Sequence, residues 1–556
     1  MLFHAMITMN PDGTLAEDAR RTPTQASTTE LVNGRLLTHF NLLGSAGPRE
    51  MASWHNTLQE AALQTRLGIP VTLSTDPRNA FSNNPGTAAA AGPFSKWPET
   101  LGLAAINDVE LVRAYADTVR QEYIAVGLRV ALHPQIDLAT EPRWSRTEGT
   151  FGQDAEVTSR LVAAYLEGLR GSTELGATSV AGMVKHFPGG GPQKDGEDPH
   201  FPYGKDQVYP GGYFEYHLAP FRAAIAAGAT QMMPYYGRPV GTEFEEVGFG
   251  FNRGIITGLL REQLGFDGIV CADWSIITDG NIMGEPHEAR AWGVEHLTPE
   301  DRILKALDAG VDQFGGEQTP DLVVDLVRRG HLSEDRVNES VARLLREKFR
   351  LGLFDDARFV DQDRAEEIVG NPDFLAAGEH AQARSMTLLT NSVPLPVTAV
   401  PTVYLEGIDA PTDAAMRVVD TPGAADLAVL RLETPFDERP GIFESFFRAG
   451  RLNFTEAELD PILAVLDATP TVVVIHMDRP ALIPEIAERA AAVLVEYGAS
   501  DSAVWNVLRG IIAPEGTLPF ELPRSMAAVE ASRPDVPSDT INPVFTFGHG
   551  LRYPTH

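Results

Sequence analysis

Apolar runs typical of buried strands alternate with amphipathic segments over residues 35–315. The strand-like runs are LLTHFNL, IPVTLSTD, RVALHPQID, VAGMVKH, TQMMPYY, IVCAD and VDQF, and most of them end in polar or aromatic residues. The segments between them, such as 110–127 and 155–171, carry apolar residues at helical spacing. This alternation predicts βα units with parallel strands, and so many units in a row favour a closed (β/α)8-like TIM barrel over an open sheet.

The pattern changes after the barrel and predicts a second domain. Residues 332–356 are typical of a closing helix, with a serine N-cap, acidic residues in the first turn and helical apolar spacing. Polar sequence follows, and then strand-like runs such as DLAVLRLE, TVVVIHMD and AAVLVEYG alternate with helical segments. We therefore predict a barrel over 1–355, a linker over 356–385 and an open α/β sandwich domain over 386–556.

Polar side chains stand at the carboxyl ends of the predicted strands, where barrel enzymes build their active sites. They are, in chain order, Asp76, Asp137, Lys185, His186, Tyr236 and Asp273. One polar strand end would be ordinary, but successive units share this feature. The sequence therefore predicts a polar site at this face of the barrel, although for Asp137 we prefer a loop-capping role.

Composition narrows the range of partners. The 556 residues include 45 Lys+Arg and 76 Asp+Glu, and the net charge of −31 disfavours nucleic acids and anionic membranes as partners. A single cysteine, Cys271, excludes an intrachain disulfide, and we interpret it as a small buried residue. No apolar run is long enough to span a bilayer and the amino terminus lacks a signal-peptide pattern, so we expect a cytoplasmic protein.

The sequence lacks the motifs of phosphate-binding loops, metal sites and serine nucleophiles. The stretch VKHFPGGGPQKDGEDPHF (184–201) does not match the phosphate-binding pattern GxxxxGK[ST], and its Lys185 and His186 either bind neutral hydroxyls or belong to a solvated loop. His186, Asp198 and His200 lack the spacing of metal motifs, and no GxSxG nucleophile elbow occurs. We therefore expect no metal and no cofactor, and carboxylate chemistry remains.

Asp273 and Trp274 stand side by side where the run IVCA ends. Asp273 could simply cap the following segment, but the pair also suits a sugar, whose apolar face stacks on an aromatic ring while charged groups bind its hydroxyls. Arg143 or Arg146 could reach inward to grip a diol, or belong to an ion-pair network in a loop. Hydrolysis with retention needs two carboxyl groups about 5 to 5.5 Å apart, and Asp273 could be the one that attacks.

The chain resembles glycoside hydrolase family 3, the family of β-glucosidases, β-xylosidases and β-N-acetylglucosaminidases. The similar segments occur in the family's order: LGIPVTLSTD, EPRWSRTEGTFGQD, VKHFPG, GFDGIVCADW, AGVDQF, RVNESVARLLREKFRLGLFDD, EGTLPFELPRS and FTFGHGLRY. Together they cover nearly the whole chain. The resemblance implies a retaining, exo-acting β-glycosidase for small glycosides or oligosaccharides, with β-glucosidase as the first expectation. A β-xylosidase, a β-N-acetylhexosaminidase and a non-catalytic sugar-binding protein are the alternatives.

Carried over residue by residue, the resemblance also implies roles. Asp273 would be the nucleophile that forms a covalent glycosyl-enzyme, and Trp274 would form part of the wall around the sugar. The residues that would hold the sugar hydroxyls are Asp76, Arg146, Lys185, His186 and Tyr236, with Arg143 as a further candidate. The chain departs from the family pattern at Ala272, where serine is usual, and at Asp279, where some members have a basic residue; the second departure means that the family's leaving-group contacts do not carry over to this position.

The proton donor remains open at this level. In two-domain members a Glu of the second domain serves, and residues 431–446 (RLETPFDERPGIFESF) are similar to the segment that supplies it, which predicts Glu438 first and Glu433 or Glu444 after it. A barrel-only subgroup uses a His within Asp-x-His, and here His200 stands in a related place, slightly further on. Because a full second domain is present, we favour Glu438. The sequence leaves the sugar, the aglycone and the oligomeric state open.

Overall fold

The computed structural model describes residues 1–392, 395–397, 402–411 and 416–553. Eight parallel strands close into a barrel in which each strand pairs with the next one along the chain and the last pairs with the first. They are β1 Phe3–Thr8, β2 His39–Leu43, β3 Thr72–Thr75, β4 Leu128–Ala131, β5 Ala181–Phe187, β6 Gln231–Pro234, β7 Ile269–Ala272 and β8 Gln313–Gly315. The predicted (β/α)8-like barrel is confirmed.

The apolar pattern did not predict β1. This run contains a histidine and no long helical segment follows it, so it lacks the βα signature of the other units. It becomes a strand because it fills the gap in the barrel, with Phe3 opposite Phe314 of β8 and His4 opposite His39 of β2. Phe3, Ala5 and Ile7 are buried in the barrel, and tertiary pairing therefore decides the structure of this run.

Helices surround the barrel, as the amphipathic segments predicted. They are α1 Pro48–Leu63, α2 Thr100–Ile106, α3 Val109–Ala125, α4 Ala155–Arg170, α5 Phe214–Ala226, α6 Pro299–Ala309, α7 Pro320–Arg328 and α8 Glu334–Arg350, with π-helical segments at Glu30–Gly34 and Gly254–Gln263. The Ser333 side chain accepts a hydrogen bond from the backbone N–H of Arg336 and so caps α8.

A layer of apolar side chains fills the barrel interior below the carboxyl ends of the strands. Its members are Val130, Leu132, Ala181, Met183, Met233 and Cys271, and the ring of Trp274 packs against them. Cys271 is completely buried, as predicted. The layer gives the side chains at the strand ends a rigid floor.

The predicted linker over 356–385 contains two helices, α9 Gln362–Ile368 and α10 Pro372–Ser385. Ala365 and Ala381 join the core of the barrel, whereas Ala383 joins the core of the second domain. Most other side chains of this segment are exposed or half-buried, which accounts for its polar pattern. The connection between the domains is therefore packed against both of them.

The second domain is built on a sheet that has six strands within the described residues, in the order β9-β14-β13-β12-β10-β11. They are β9 Thr387–Asn391, β10 Thr402–Glu406, β11 Arg417–Val418, β12 Leu427–Glu433, β13 Thr471–His476 and β14 Ala492–Glu496. Only β9 runs antiparallel to its neighbour in this described sheet. The helices of the domain are α11 Glu456–Ala468, α12 Pro484–Arg489, α13 Asp501–Leu508 and α14 Met526–Ala531.

Both faces of this sheet are covered. Along β13, Val473 belongs to one apolar cluster, whereas Val472 and Val474 belong to another on the opposite face. This arrangement explains why the strands of the domain read as continuous apolar runs. It confirms the predicted open α/β sandwich. None of the described helices combines the length and the apolar character that crossing a lipid bilayer requires.

Candidate active site

The carboxyl face of the barrel brings most of the predicted site residues together. Asp76 follows β3, Arg146 lies in the loop after β4, Lys185 and His186 belong to β5, Tyr236 follows β6, and Asp273 and Trp274 follow β7. Parallel strands of a barrel all end at the same face, which is why residues far apart in the sequence converge here. The face can therefore serve as one site.

The two carboxylate oxygens of Asp273 have different surroundings. Oδ1 accepts a hydrogen bond of 2.8 Å from the backbone N–H of Trp274. Oδ2 is buried and accepts no hydrogen bond from the described residues, and Nε2 of His186 lies 3.9 Å from it. A buried polar atom without a partner is costly, so its presence at a strand end of the barrel calls for a functional explanation. Asp273 thus holds one oxygen in place and leaves the other available for a ligand.

His186 is oriented by a second carboxylate. Asp137 Oδ2 lies 2.8 Å from His186 Nδ1, and Asp137 Oδ1 accepts hydrogen bonds from the backbone N–H groups of His186 and Gly190. Burial raises the pKa of Asp137 to about 6 and lowers that of His186 well below its usual value, so at pH 7 a neutral imidazole donates from Nδ1 to an ionised Asp137. The unprotonated Nε2 then faces the site as an acceptor.

Lys185 and Asp76 form a donor and acceptor pair beside Asp273. Their Nζ and Oδ1 atoms are 3.4 Å apart, and Asn41 donates to the other oxygen of Asp76. Gln135 positions the guanidinium of Arg146, because Arg146 Nη2 donates a hydrogen bond of 3.2 Å to Gln135 Oε1. Such a group of cations and carboxylates matches the donors and acceptors of sugar hydroxyls.

Trp274 and Tyr236 form a wall of the site. The Tyr236 hydroxyl donates to the backbone oxygen of Trp274 at 2.9 Å, and the Arg290 guanidinium lies 5.3 Å from the centroid of the Tyr236 ring. The indole lies over β8 at Gly315, where an added Cβ would come within 1.8 Å of the Trp274 ring. Only glycine leaves room for the indole at that position.

His200 belongs to the same wall. Its Nδ1 is 2.6 Å from Asp198 Oδ1, and its ring centroid lies 4.7 Å from that of Tyr236 and 4.6 Å from that of Phe447 in the second domain. Burial disfavours the charge of Asp198, but His200 and Arg146 outweigh it and set the pKa of Asp198 at about 2. Burial also lowers the pKa of His200, which Asp198 opposes. His200 Nε2 has no hydrogen-bond partner among the described residues.

The remaining candidates lie elsewhere. Arg143 turns to Glu141, with an Nε to Oε1 distance of 2.8 Å, and thus follows the ion-pair interpretation of its loop. In the second domain, Glu438 is exposed and its carboxylate makes no hydrogen bond or ion pair with the described residues. Glu433 pairs with Arg448, and Glu444 accepts a hydrogen bond from the Tyr203 hydroxyl. The identity of the proton donor stays a prediction.

Sequence reasoning missed the residues that act through a neighbour. Asp137 was interpreted as a loop cap, and its position at a strand end was the signal that pointed to the site. Asn41, Gln135 and Arg290 carried no signal, because each contributes only through a hydrogen bond to another residue of the site. Among the described residues, no three His, Cys, Asp or Glu side chains come together in a way that could hold a metal ion.

An ionic contact joins the two domains beside the site. His476 ends β13, and its Nε2 lies 3.5 Å from Glu148 of the barrel, in the loop that carries Arg146. Its Nδ1 lies 3.3 Å from Glu496 at the end of β14, and Glu496 also binds Arg431. The second domain therefore contacts the carboxyl face of the barrel through the ends of its own strands.

This contact predicts a pH-dependent stability. Burial alone would lower the pKa of His476, but Glu496 and Glu148 outweigh it and raise the pKa well above 6.5. The stabilisation is then complete below the unfolded pKa of about 6.5 and is lost as the pH rises through the folded pKa. We expect His476→Gln to lower the free energy of unfolding by about 3 kcal/mol at pH 6 and by progressively less at alkaline pH.

Denaturant unfolding of the two proteins between pH 6 and pH 10 measures this difference. The exposed His331 provides the control, since His331→Gln should leave the free energy of unfolding unchanged at every pH. A difference between His476→Gln and the wild type that stays constant over the whole range would contradict a charged His476.

Two models of one protein family match this chain and overlap over residues 278–347. Residues 28–347 match the model described as glycosyl hydrolase family 3 N terminal domain, and residues 278–553 match the family's C-terminal domain. A probable beta-glucosidase C from Aspergillus flavus is 52% identical over 99% of this chain and 87% of its own length. A periplasmic beta-glucosidase/beta-xylosidase from Dickeya chrysanthemi is 43% identical over 95% of this chain and 84% of its own.

A solved structure shares the fold. The beta-glucosidase from Listeria innocua, in complex with isofagomine, superposes with a TM-score of 0.75 at 21% identity, covering 92% of this chain and 76% of that one. The two-domain arrangement is therefore shared with a protein whose sequence has diverged widely.

Proposed function

The chain belongs to glycosyl hydrolase family 3 and is a glycoside hydrolase of the β-glucosidase type, and we propose that it releases terminal β-linked glucose with retention through a glycosyl-enzyme on Asp273. The observation that carries the proposal is the partner-free Oδ2 of Asp273, which lies beside the hydroxyl-binding group of Asp76, Lys185 and His186. The Aspergillus flavus relative, named as a probable beta-glucosidase C, supports glucose as the sugar, and the name of the Dickeya chrysanthemi relative includes both beta-glucosidase and beta-xylosidase.

In the first step Asp273 Oδ2 attacks the anomeric carbon while the bond to the aglycone oxygen breaks. The aglycone oxygen takes a proton as it leaves, and the sugar remains attached to Asp273 as an ester. In the second step the residue that gave this proton takes a proton from a water molecule. The water oxygen attacks the anomeric carbon, and the bond to Asp273 breaks. Two inversions at one carbon give a product with the original β configuration.

The proposed sugar contacts follow from charge and protonation. Asp76 accepts hydrogen bonds from hydroxyl groups, while Lys185 and Arg146 donate to hydroxyl oxygens. Neutral His186, which donates from Nδ1 to Asp137, accepts a hydroxyl proton at Nε2. Trp274 supplies the apolar face against which the ring lies.

We assign proton transfer to His200, which Asp198 orients, rather than to Glu438. His200 Nδ1 is engaged by Asp198 at 2.6 Å, and its ring lies against Tyr236 in the wall of the site. A catalytic acid and base must be held at the reacting oxygen, and an oriented imidazole with an available Nε2 satisfies that requirement. Glu438 is exposed, and the described contacts do not connect its carboxylate to the barrel site.

A panel of 4-nitrophenyl glycosides tests the function. It includes the α and β anomers of glucose together with β-xyloside, β-galactoside and β-N-acetylglucosaminide. We expect β-glucoside to have the highest kcat/KM, β-xyloside to follow about 10- to 100-fold lower because it lacks the hydroxymethyl contacts, and α-glucoside to be inert. Proton NMR of the first product should show β-glucose.

Two results would contradict the proposal. A preference for the β-N-acetylglucosaminide would indicate a hexosaminidase. Binding of glucose without hydrolysis of any member of the panel would indicate a sugar-binding protein instead.

A further inference from the structure

The turn that carries Arg146 lies between the barrel and the second domain. Arg146 is buried, and within the described part of the chain Gln135 is the hydrogen-bond partner of its guanidinium. Gln135 also donates to the backbone oxygen of Arg146 at 3.2 Å, and the next residues, Thr147–Gly149, form one turn of 3₁₀-helix. A guanidinium binds a hydroxyl group well only in a fixed geometry, so whatever holds this turn also sets how Arg146 meets the sugar.

The second domain holds both ends of the loop that contains this turn and runs from β4 to α4. Near the start of the loop, the Thr140 hydroxyl donates to the backbone oxygen of Pro534 at 2.5 Å. Near its end, the backbone N–H of Gln153 donates to the backbone oxygen of Pro519 at 3.0 Å. The other domain thus fixes the loop at two points, and Glu148 lies between them.

Glu148 contacts both domains. Its Oε1 lies 3.5 Å from His476 Nε2 and 3.2 Å from the hydroxyl oxygen of Ser82. The same hydroxyl oxygen lies 2.6 Å from Glu99, and burial, with a smaller contribution from Glu148, raises the pKa of Glu99 to about 8. At neutral pH Glu99 therefore keeps its proton and can donate it to Ser82, which leaves the hydrogen of that hydroxyl for Glu148. His476 then balances the charge of Glu148.

The turn transmits any displacement of Glu148 to the sugar site. Glu148 follows Arg146 closely in the same turn, and the next residue, Gly149, packs directly on Gln135. An added Cβ at Gly149 would come within 2.9 Å of Gln135 Oε1, the atom that accepts from Arg146. A shift of Glu148 relative to His476 therefore moves the backbone of Arg146 and its hydrogen-bond partner together. An ion pair at this place acts on the geometry of the site as well as on stability.

Charged groups from both domains surround His476. Glu496, at the end of β14, lies 3.3 Å from His476 Nδ1 and is also bound by Arg431. Although burial opposes it, Glu496 and Glu148 raise the pKa of His476 well above 6.5. The other charged groups nearby are Glu99 of the barrel, Asp478 beyond β13, Asp501 of α13, which binds Arg431, Arg479 beside Asp478, and Arg448. The link between the domains therefore stays ionic until His476 loses its proton.

We propose that Glu148 and His476 are positioning residues for Arg146, and that the second domain sets the strength of sugar binding through this ion pair. The inference rests on the proposed β-glucosidase function and adds to it two residues outside the hydroxyl-binding group. The contact keeps the turn in the conformation in which Arg146 donates to the sugar. When His476 is neutral or replaced, the turn gains freedom, and ordering it on binding costs free energy.

Steady-state kinetics with 4-nitrophenyl β-glucoside at pH 6 test the proposal. We expect Glu148→Gln and His476→Gln each to lower kcat/KM by about tenfold, because Arg146 is then no longer held in its productive geometry. In an Arg146→Ala background the same two changes should have no further effect, since they act through Arg146. Denaturant unfolding establishes that each variant is folded at this pH, and if His476→Gln is not, Glu148→Gln carries the same test from the barrel side.

Glu515→Gln is the matched control for these variants. Glu515 accepts from Arg384 of α10 at 2.8 Å, and Arg384 also binds Asp108 of the barrel, so this ionic contact joins the domains through α10 rather than through the Arg146 loop. Its loss should lower the free energy of unfolding and leave kcat/KM unchanged. The comparison separates a weaker domain contact in general from one that positions Arg146.

The pH profile gives a readout that a purely structural contact would not change. The ratio of kcat/KM for the wild type over His476→Gln should be about ten at pH 6 and approach one as the pH rises through the folded pKa of His476, because an uncharged histidine resembles glutamine. Ionisations that both proteins share, such as those of His200 and Lys185, cancel in this ratio. Glu99 ionises in the same range, so the profile is repeated with Glu99→Gln in both proteins, where the ratio should still fall.

The possible failures can be told apart. A ratio that stays constant from pH 6 to pH 10, an unchanged kcat/KM in Glu148→Gln, or the full additional loss in the Arg146→Ala background would overturn the positioning role while the β-glucosidase function stands. An equal loss of kcat/KM in Glu515→Gln would do the same. Absence of hydrolysis of every β-glucoside by the wild type would overturn the function itself, and the positioning role with it.

Discussion

Asp273→Asn is expected to lower kcat for hydrolysis of an aryl β-glucoside by roughly 10⁵-fold, because removal of a catalytic nucleophile leaves only binding and orientation. The amide has nearly the same size and its oxygen can still accept from the Trp274 N–H, so the site should keep its shape. What disappears is the negative charge that attacks the anomeric carbon. Steady-state kinetics with 4-nitrophenyl β-glucoside measure the loss.

Asp267→Asn is the matched control for this change. Asp267 lies at the opposite end of the same strand, β7, where it pairs with Arg343 and Arg346 on the protein surface. Its replacement should leave kcat unchanged, since the amino-terminal face of a barrel contributes to stability rather than to chemistry.

A rescue experiment separates loss of the nucleophile from misfolding. Asp273→Ala leaves a space in which azide can attack the anomeric carbon from the side that Asp273 occupied. A single inversion would then give α-glucosyl azide. Near-normal turnover by Asp273→Asn, or formation of the β-azide by Asp273→Ala, would exclude Asp273 as the nucleophile.

His200→Ala is expected to have the second largest effect. It should lower kcat/KM for alkyl β-glucosides by about 10³-fold, because an alkoxide cannot leave without a proton. With 2,4-dinitrophenyl β-glucoside the loss in kcat/KM should be small, since that leaving group needs no proton. Glu438→Gln should change neither value more than a few-fold. Parallel kinetics on the two substrates with the two variants decide the assignment.

The pH dependence of kcat/KM gives an independent test of His200 as the proton donor. Burial lowers the pKa of His200 below its usual 6.5, so the protonated acid is present only on the acidic side of that value. In the wild type, kcat/KM for alkyl β-glucosides should therefore fall as the pH rises through an apparent pKa below 6.5, and His200→Ala should lack this limb. A large loss in Glu438→Gln, with restoration by azide as β-glucosyl azide, would move the role to Glu438.

Part of the site was predictable because strand ends in a barrel converge. The positions of Asp76, Lys185, His186, Tyr236 and Asp273 follow from the alternation of apolar runs with helical segments, and the family resemblance favours Arg146 over Arg143. The partners that orient these residues were not predictable in the same way. Asp137 meets His186 because the fold places the segment after β4 beside β5, and such packing is not displayed by a single sequence.

Prediction from the sequence has the same limit in the second domain. The apolar runs predicted its strands, but they did not predict that segment 437–447 lies against the barrel. Whether Glu438 points to the site or to solvent depends on contacts between the domains, such as those of Arg439 with Glu197. Similarity of the segment to its family counterparts could therefore predict a proton donor without deciding its orientation.

The sequence by itself determined the two α/β domains, the face of the barrel that carries the site and the residue types gathered there, because these depend on local apolar periodicity and on strand order. Tertiary structure decided that β1 completes the barrel, that the segment with helices α9 and α10 packs against both domains, and which carboxylate orients His186. The physical reason is that these features arise from contacts between segments far apart in the chain. The free energy of such contacts depends on where the whole fold places the two partners.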